Sequence, residues 1–309
     1  MNKLQHYIKM TKSNPLWLAQ LAHSKATSRS NMIRTQQFLL NQGLLQYCPI
    51  TDTYVCNVLG SIMHLHKDDT GISLDLARNG IREAIPSLVL LREIKPDMVY
   101  YDLGANIGYY ALLAAGIISK GKGKVIAIEP EPNNFRILQL NIQANNYDSY
   151  VKAHQCAISN RTGTANMVVT SKSNAHYLTN NSSSNHNTIE VPCFSLPDFI
   201  EQQEDKAIDF LRMDIEGSEY LILPTIYKLM ETGINAMFIE FHPDQHIREH
   251  IDIIRNLADL GYKTQDIIKF YFLHGKPDYI YCPATTIEDL WRSKFLLSSG
   301  AIHVILKKG

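Results

Sequence analysis

Four acidic residues and one histidine stand at the ends of short apolar runs. Asp102 closes Val99-Tyr100-Tyr101, Glu129 follows Lys124 to Ile128, Asp214 follows Ile208 to Met213, and Glu240 and His242 lie at the end of Ala236 to Phe241. In an open α/β sheet the ligand lies beyond the carboxyl ends of the strands, so these five side chains are expected to converge. Buried carboxylates without partners are costly, and such a group must be held by ligand, metal or backbone. An imidazole with a near-neutral pKa suits proton abstraction from a hydroxyl, which makes His242 the candidate general base, with Asp214 and Glu240 as catalytic partners. Asp214 either takes that proton itself or orients the imidazole. Asp214, Glu240 and His242 are also residue types that hold a divalent metal, which would polarise a hydroxyl; spacing alone does not decide this, and acid/base work is the preferred reading.

A glycine turn stands between the first two acids. Asp102-Leu-Gly-Ala-Asn-Ile-Gly108 joins an apolar run to the helix-like Tyr110 to Ile118, a strand, turn and helix that present backbone N–H groups to a polar ligand. The pattern is Gly-x-x-x-Gly, lacking the middle glycine with which Gly-x-Gly-x-x-Gly admits a dinucleotide pyrophosphate, and this argues against NAD. Glu129 sits where the next parallel strand delivers a carboxylate to ribose hydroxyls. A nucleoside without a pyrophosphate fits best, although the same glycines would serve an ordinary strand-to-helix turn.

With Asp-Leu-Gly-Ala-Asn-Ile-Gly at 102 to 108, Ile-Glu-Pro at 128 to 130, Asp-Ile-Glu-Gly-Ser-Glu at 214 to 219 and Ile-Glu-Phe-His-Pro at 239 to 243, the sequence resembles the FkbM-type methyltransferase family from about Gly80 to about His246. The resemblance implies an S-adenosylmethionine-dependent enzyme on a Rossmann-like class I methyltransferase fold, an α/β doubly wound, mostly parallel sheet whose last strand is antiparallel. It places the methionine part on Gly104 to Gly108, its amino group on Asp102 or Asn106, and the ribose on Glu129. Asp214 lines the same pocket, and the backbone of Ala157 lies near the adenine, where relatives often carry an acid and this chain has Ser159 and Asn160. Arg212 stands where relatives often have Lys and is expected to pair with a carboxylate. Glu83 matches an acid often found before the first core strand. The implied reaction is O-methylation of a small molecule, sugar or glycan. The rivals are an NAD-linked oxidoreductase and a non-catalytic nucleoside-binding module.

The elements that must position these groups follow from pattern. Strands over 98–103, 124–128 and 151–158 alternate with helices over 109–119 and 132–144, the parallel, doubly wound rhythm. Further strands are read at 163–170, 188–194, 208–213, 236–241, 270–273, 279–282 and 301–306, and helices at 86–94, 196–203, 221–230 and 247–260. The Ser- and Asn-rich stretch 171–187 reads as a mobile surface loop able to cover the pocket. Glu219 reads as an ordinary first-turn acid of a helix, while Glu216 faces the pocket.

Ahead of the core, 54–59, 61–65 and 72–76 read as strands, the last two joined through Lys-Asp-Asp-Thr-Gly. Residues 1–79 form an accessory segment of helices and a small β element, and 80–309 the methyltransferase domain with an insertion at about 170–188. Residues 1–51 hold six Lys or Arg and no acid, including an Asn14-Pro15 helix start, which would suit weak contact with an anionic membrane or an organelle address.

At 309 residues, 45% hydrophobic and 19% charged, the chain has the composition of a soluble globular protein with a sizeable core. Zero net charge implies no general polyanion surface, so nucleic acid is not an expected partner. The five cysteines, odd in number and without Cys-x-x-Cys spacing, suit a reducing, cytoplasmic setting, and no run approaches the roughly 18 residues of a membrane span.

Overall fold

The computed structural model describes residues 29–170, 172–173, 175–179, 187–204, 206–242, 251–273, 276–283 and 301–309. The chain divides into two compact units, Met1–Leu88 with Ser171–Asn174, and Val89–Thr170 with Ala175–Gly309.

In the first unit, α1 (Arg29–Asn41) precedes a three-stranded antiparallel sheet, β1 (Gln46–Cys48), β2 (Thr53–Val58) and β3 (Ser61–Leu65). The hairpin joins β2 to β3 through Leu59 and Gly60, both at positive φ, the two-residue turn that matches strand twist. The expected strand at 72–76 is instead the start of helix α2 (Ile72–Asn79). Asp69 accepts the N–H groups of Gly71 and Ser73 at 2.8 Å and so caps that end, while Gly80 in the left-handed region closes the other. The Asp and Gly that read as a hairpin turn are therefore helix punctuation. The Asn14-Pro15 helix lies outside the described residues.

The second unit, after α3 (Ala84–Glu93), is built on an eight-stranded sheet. Its parallel strands are β4 (Val99–Leu103), β5 (Lys124–Ile128), β6 (Val151–His154), β11 (Ile208–Met213) and β12 (Ile234–Phe241), in spatial order β12-β11-β4-β5-β6. The sheet continues past β12 through β15 (Ile302–Lys308), β13 (Tyr262–Leu273) and β14 (Lys276–Pro283), each antiparallel to its neighbour. The final strand thus inserts antiparallel beside β12, as expected. All five positions of β4 are buried, and the order reverses direction on either side of it, which puts a crevice beyond the ends of β4 and β11.

Side-chain alternation sorts the strands. Tyr101, Leu103, Leu211, Met213, Met237 and Ile239 join one buried cluster, while Asp102 and Arg212 point to the opposite face. Helices α4 (Tyr109–Ile118) and α5 (Pro132–Ala144) follow β4 and β5 as the doubly wound pattern requires.

The third core strand is shorter than its apolar run. It ends at His154, and Ala157–Ser159 (β7) leaves to pair with β10 (Thr188–Ser195) in a second sheet of order β7-β10-β8-β9, with β8 at Gly163–Val168 and β9 at Tyr177–Thr179. The Ser/Asn-rich stretch therefore contributes a strand, β9, paired with β8; residues 171, 174 and 180–186 lie outside the described residues. After α6 (Leu196–Glu201), the helix read over 221–230 is broken into α7 (Glu219–Ile222), a 3₁₀ turn at Leu223–Ile226 and α8 (Tyr227–Thr232). Pro224, lacking an N–H, sits in that turn. Of the helix read over 247–260, α9 (Ile251–Asp259) is described, and 243–250 lie outside the described residues. No helix among the described residues is long and apolar enough to cross a membrane.

Candidate functional site

At the end of β4 the chain turns through Gly104, whose N–H and that of Ala105 both donate to Ile128 O at 3.0 and 2.9 Å. Gly104 has φ +81, and a Cβ there would lie 1.9 Å from the Asp214 carbonyl oxygen. This position therefore requires glycine for the close approach of β4 and β11. Gly108, at φ +93, caps α4, where a Cβ would meet Leu138 at 2.7 Å.

Asp102 is fully buried, and its Oδ1 accepts from Arg212 Nη1 at 2.9 Å. The other arm, Nη2, donates to Asp214 Oδ2 at 2.6 Å, and the guanidinium lies 4.1 Å from the centre of the Tyr110 ring. Arg212 registers opposite Asp102 across the parallel ladder, so strand pairing sets the bridge. Burial works against the charge of Arg212, but Asp102 and Asp214 more than offset it and hold its pKa well above the ordinary value. The expected pairing of Arg212 is present and doubled. A planar fork is suited to spanning two carboxylates, which a point-like ammonium is not.

Glu129, 5% exposed at the end of β5, accepts the Asn106 N–H on Oε2 at 2.8 Å and the Glu131 N–H on Oε1 at 2.9 Å. Burial pushes its pKa up to about 7, against the pull of those two backbone donors. The Asn134 side chain is a third donor, which leaves about one of the four acceptor positions of the carboxylate, so a neighbouring hydroxyl donor would favour the charged form. The remaining acceptor position fits a ribose hydroxyl. Asn106, at φ +52, turns its Oδ1 to the Ile107 N–H at 2.8 Å. Ala157 is the first residue of β7, in register with Cys193 of the smaller sheet rather than at the end of β6.

Beyond β11 and β12 the polar groups meet side chain to side chain. His242 Nδ1 lies 3.2 Å from Glu219 Oε1, and its Nε2 is 3.5 Å from Glu216 Oε2 and 3.7 Å from Glu240 Oε1. Burial alone would lower the imidazole pKa, but the hydrogen bond and charge of Glu219, with Glu240 and Asp214, push it up to about 11. The near-neutral value on which the base assignment of His242 rested is not what these neighbours produce. His242 holds its proton at neutral pH.

Glu219 is the buried carboxylate beside His242 that sequence reasoning passed over. It does open α7 as a first-turn acid, yet its side chain is fully buried and turns back to accept the N–H groups of Ile215 at 3.0 Å and Gly217 at 3.4 Å, besides His242. The usable signal was the second Glu of Asp-Ile-Glu-Gly-Ser-Glu, placed just beyond a glycine turn whose N–H groups need acceptors. Asp102, Asp214, Glu240 and His242 are thus linked through Arg212 and the carboxylate cluster, whereas Glu129 and Asn106 form a separate pair beside it and Ala157 sits in another sheet. Glu83 belongs to the first unit, where it pairs with Arg82 at 2.9 Å.

Ligand atoms of Asp214, Glu240 and His242 all lie within 4.8 Å of one another, close enough for one ion. In that set Asp214 is already paired with Arg212 and Glu240 lies 3.7 Å from His242 Nε2, so a cation there would compete with charges already in place rather than fill a deficit.

The sequence model of the methyltransferase FkbM domain matches residues 102–264. No curated protein matches the chain. Among solved structures, the chain is similar to methyltransferase FkbM from Methylobacillus flagellatus KT, at 18% identity and a TM-score of 0.43 over 75% of this chain and 52% of that one. It is also similar to M. jannaschii TYW2 in complex with AdoMet, at 15% and 0.40 over 82% and 86%. A third likeness is precorrin-6y C5,15-methyltransferase from Geobacter metallireducens GS-15, at 12% and 0.39 over 74% and 91%.

Proposed function

Because the chain belongs to the FkbM methyltransferase family, we propose that it transfers a methyl group from S-adenosylmethionine to a hydroxyl oxygen of a small molecule, sugar or glycan. The observation that carries this reading is the carboxylate cluster around His242, which surrounds the exit of β11 and β12 with more negative than positive charge. Such a surrounding favours a sulfonium, a cation, next to the hydroxyl that must lose its proton.

When bound, S-adenosylmethionine supplies an electrophilic methyl whose bond to sulfur breaks, the electron pair staying on sulfur, as the acceptor oxygen bonds to carbon. The residues of this chain do the rest. Glu129 holds the ribose, while Gly104 to Gly108 and Asp214 line the cofactor side. Asp102, sealed at 0% exposure, acts through Arg212 by fixing Asp214. The acceptor hydroxyl proton passes to Asp214 or Glu240, since His242 already carries one. His242 is a positioning residue that keeps Glu240 and Glu216 aimed inward, and holding the reactants in line supplies much of the acceleration.

The test is transfer of label from methyl-labelled S-adenosylmethionine to a panel of sugar and polyol acceptors, with product mass read out. Label on oxygen that is lost in Asp214→Asn supports the reading. Reduction or oxidation of NAD instead, or label on nitrogen alone, would replace it.

A further inference from the structure

The first unit contains a cavity of about 260 Å³ beside α2, lined by Thr70, Asp75, Arg78, Arg82 and Lys172 among others. Three cations and one carboxylate share its wall. The construction is specific. Lys172 is about a hundred positions away in sequence from the helix it faces, and it is held there by its neighbour Ser173, whose N–H and Oγ donate to the two oxygens of Asp69 at 3.1 and 2.7 Å. Asp69 is 4% exposed and also caps α2, so one buried carboxylate fastens both walls of the cavity. Asp69 takes the Gly71 and Ser73 N–H groups at the start of the helix, and the attraction for an anion rests on the side chains.

Those side chains are arranged for it. Asp75 and Arg78 lie three apart on one face of α2, and the left-handed Gly80 turns the chain so that Arg82 joins them. Arg78 is partly withdrawn from solvent, and its only hydrogen bond among the described residues runs from Nη2 to Thr35 Oγ1 at 3.0 Å. Arg82 pairs with Glu83 at 2.9 Å, and Asp69 stands behind the wall with its oxygens taken by Ser173, Gly71 and Ser73, so of the charged groups that line the cavity itself three are cations and one, Asp75, is a carboxylate. Fastening a third cation beside two guanidiniums costs repulsion that an oxyanion among them would reverse.

We propose that this cavity binds a phosphate monoester, its oxyanion held by Arg78, Arg82 and Lys172, with Thr70 and Asp75 receiving hydroxyls of the esterified group. Guanidinium forks match phosphate oxygens two by two, and the volume admits a phosphoryl group with little more than one sugar ring. The site stands in the first unit and does not depend on the methyl-transfer reading.

The test is calorimetric titration of the full chain with glucose 6-phosphate, inorganic phosphate and glucose, with thermal unfolding in parallel as a check on folding. Saturable binding is expected for the ester, weaker for phosphate and absent for glucose, and it should weaken with added salt. Lys172→Glu, at an exposed position, should cut the ester affinity about tenfold or more, whereas Lys172→Arg should keep it. Absence of saturable binding by either anion, or unchanged ester affinity in a Lys172→Glu chain whose unfolding midpoint is that of the wild type, overturns the proposal.

Discussion

The two halves of the crevice are satisfied in different ways. On the β4 and β5 side, Glu129 and the glycine turn are tied to main chain: Asn106 N–H, Glu131 N–H and Ile128 O. On the β11 and β12 side, Arg212, Asp214, Glu216, Glu219, Glu240 and His242 are tied chiefly to one another. Main-chain partners are fixed by the fold itself, so the first half is held rigidly, with the Asn134 side chain as a further donor to Glu129. Side-chain partners respond to each other's charge, so the second half is a proton-holding cluster whose members must be understood together.

Changes that break the second half should cost most. Arg212→Ala leaves Asp102 buried without its counter-ion and is expected to destabilise the second unit by about 3–5 kcal/mol in denaturant unfolding; Arg212→Lys, which keeps charge but cannot span both carboxylates, should recover only part of that. In the first half, Gly104→Ala forces a Cβ against the Asp214 carbonyl and strains φ +81, for an expected loss of about 2–3 kcal/mol and of S-adenosylhomocysteine binding.

Glu219→Gln sharpens the contrast. The carbonyl oxygen of Gln still accepts the Ile215 and Gly217 N–H groups, so stability should fall by only about 1–2 kcal/mol, while the His242 titration followed by NMR should move down from about 11. An unmoved imidazole would show that the cluster does not act as a unit.

The effect to follow last is a pH dependence from Glu129. Its folded pKa of about 7 is raised above the 4.5 of a free carboxyl, so its contribution to stability is fully present below 4.5 and is lost as pH rises through 7. Wild type minus Glu129→Gln should accordingly lose about 2–3 kcal/mol between pH 5 and pH 8 in thermal unfolding, and a flat difference would place the carboxyl in a wetter setting than the structure shows.

What could be read in the sequence follows the same division. Strand ends and glycine turns are set by local pattern, so β4, β5, β11, β12, the antiparallel β15 and the convergence of Asp214, Glu240 and His242 were legible. Arg212 was legible too, because period-two alternation puts it on the face of Asp102. Glu219 was not, because a first-turn acid has the same sequence signature whether its side chain points to solvent or turns back into the preceding loop. The state of His242 was hidden for a related reason: an imidazole pKa is decided by neighbours brought from other segments. The helix at Ile72–Asn79 was missed because Asp-Asp-Thr-Gly serves equally as a hairpin turn or as a helix cap, and only the long-range partner Ser173 shows which one was built.

The central claim is that the crevice takes S-adenosylmethionine with its ribose on Glu129, and calorimetric titration with S-adenosylhomocysteine tests it most directly. The account predicts saturable binding to the wild type and a loss of about tenfold to a hundredfold in Glu129→Ala, the worth of hydrogen bonds to a charged group. Wild-type affinity retained in a folded Glu129→Ala chain would contradict the ribose assignment, and no binding to the wild type would contradict the cofactor site as a whole.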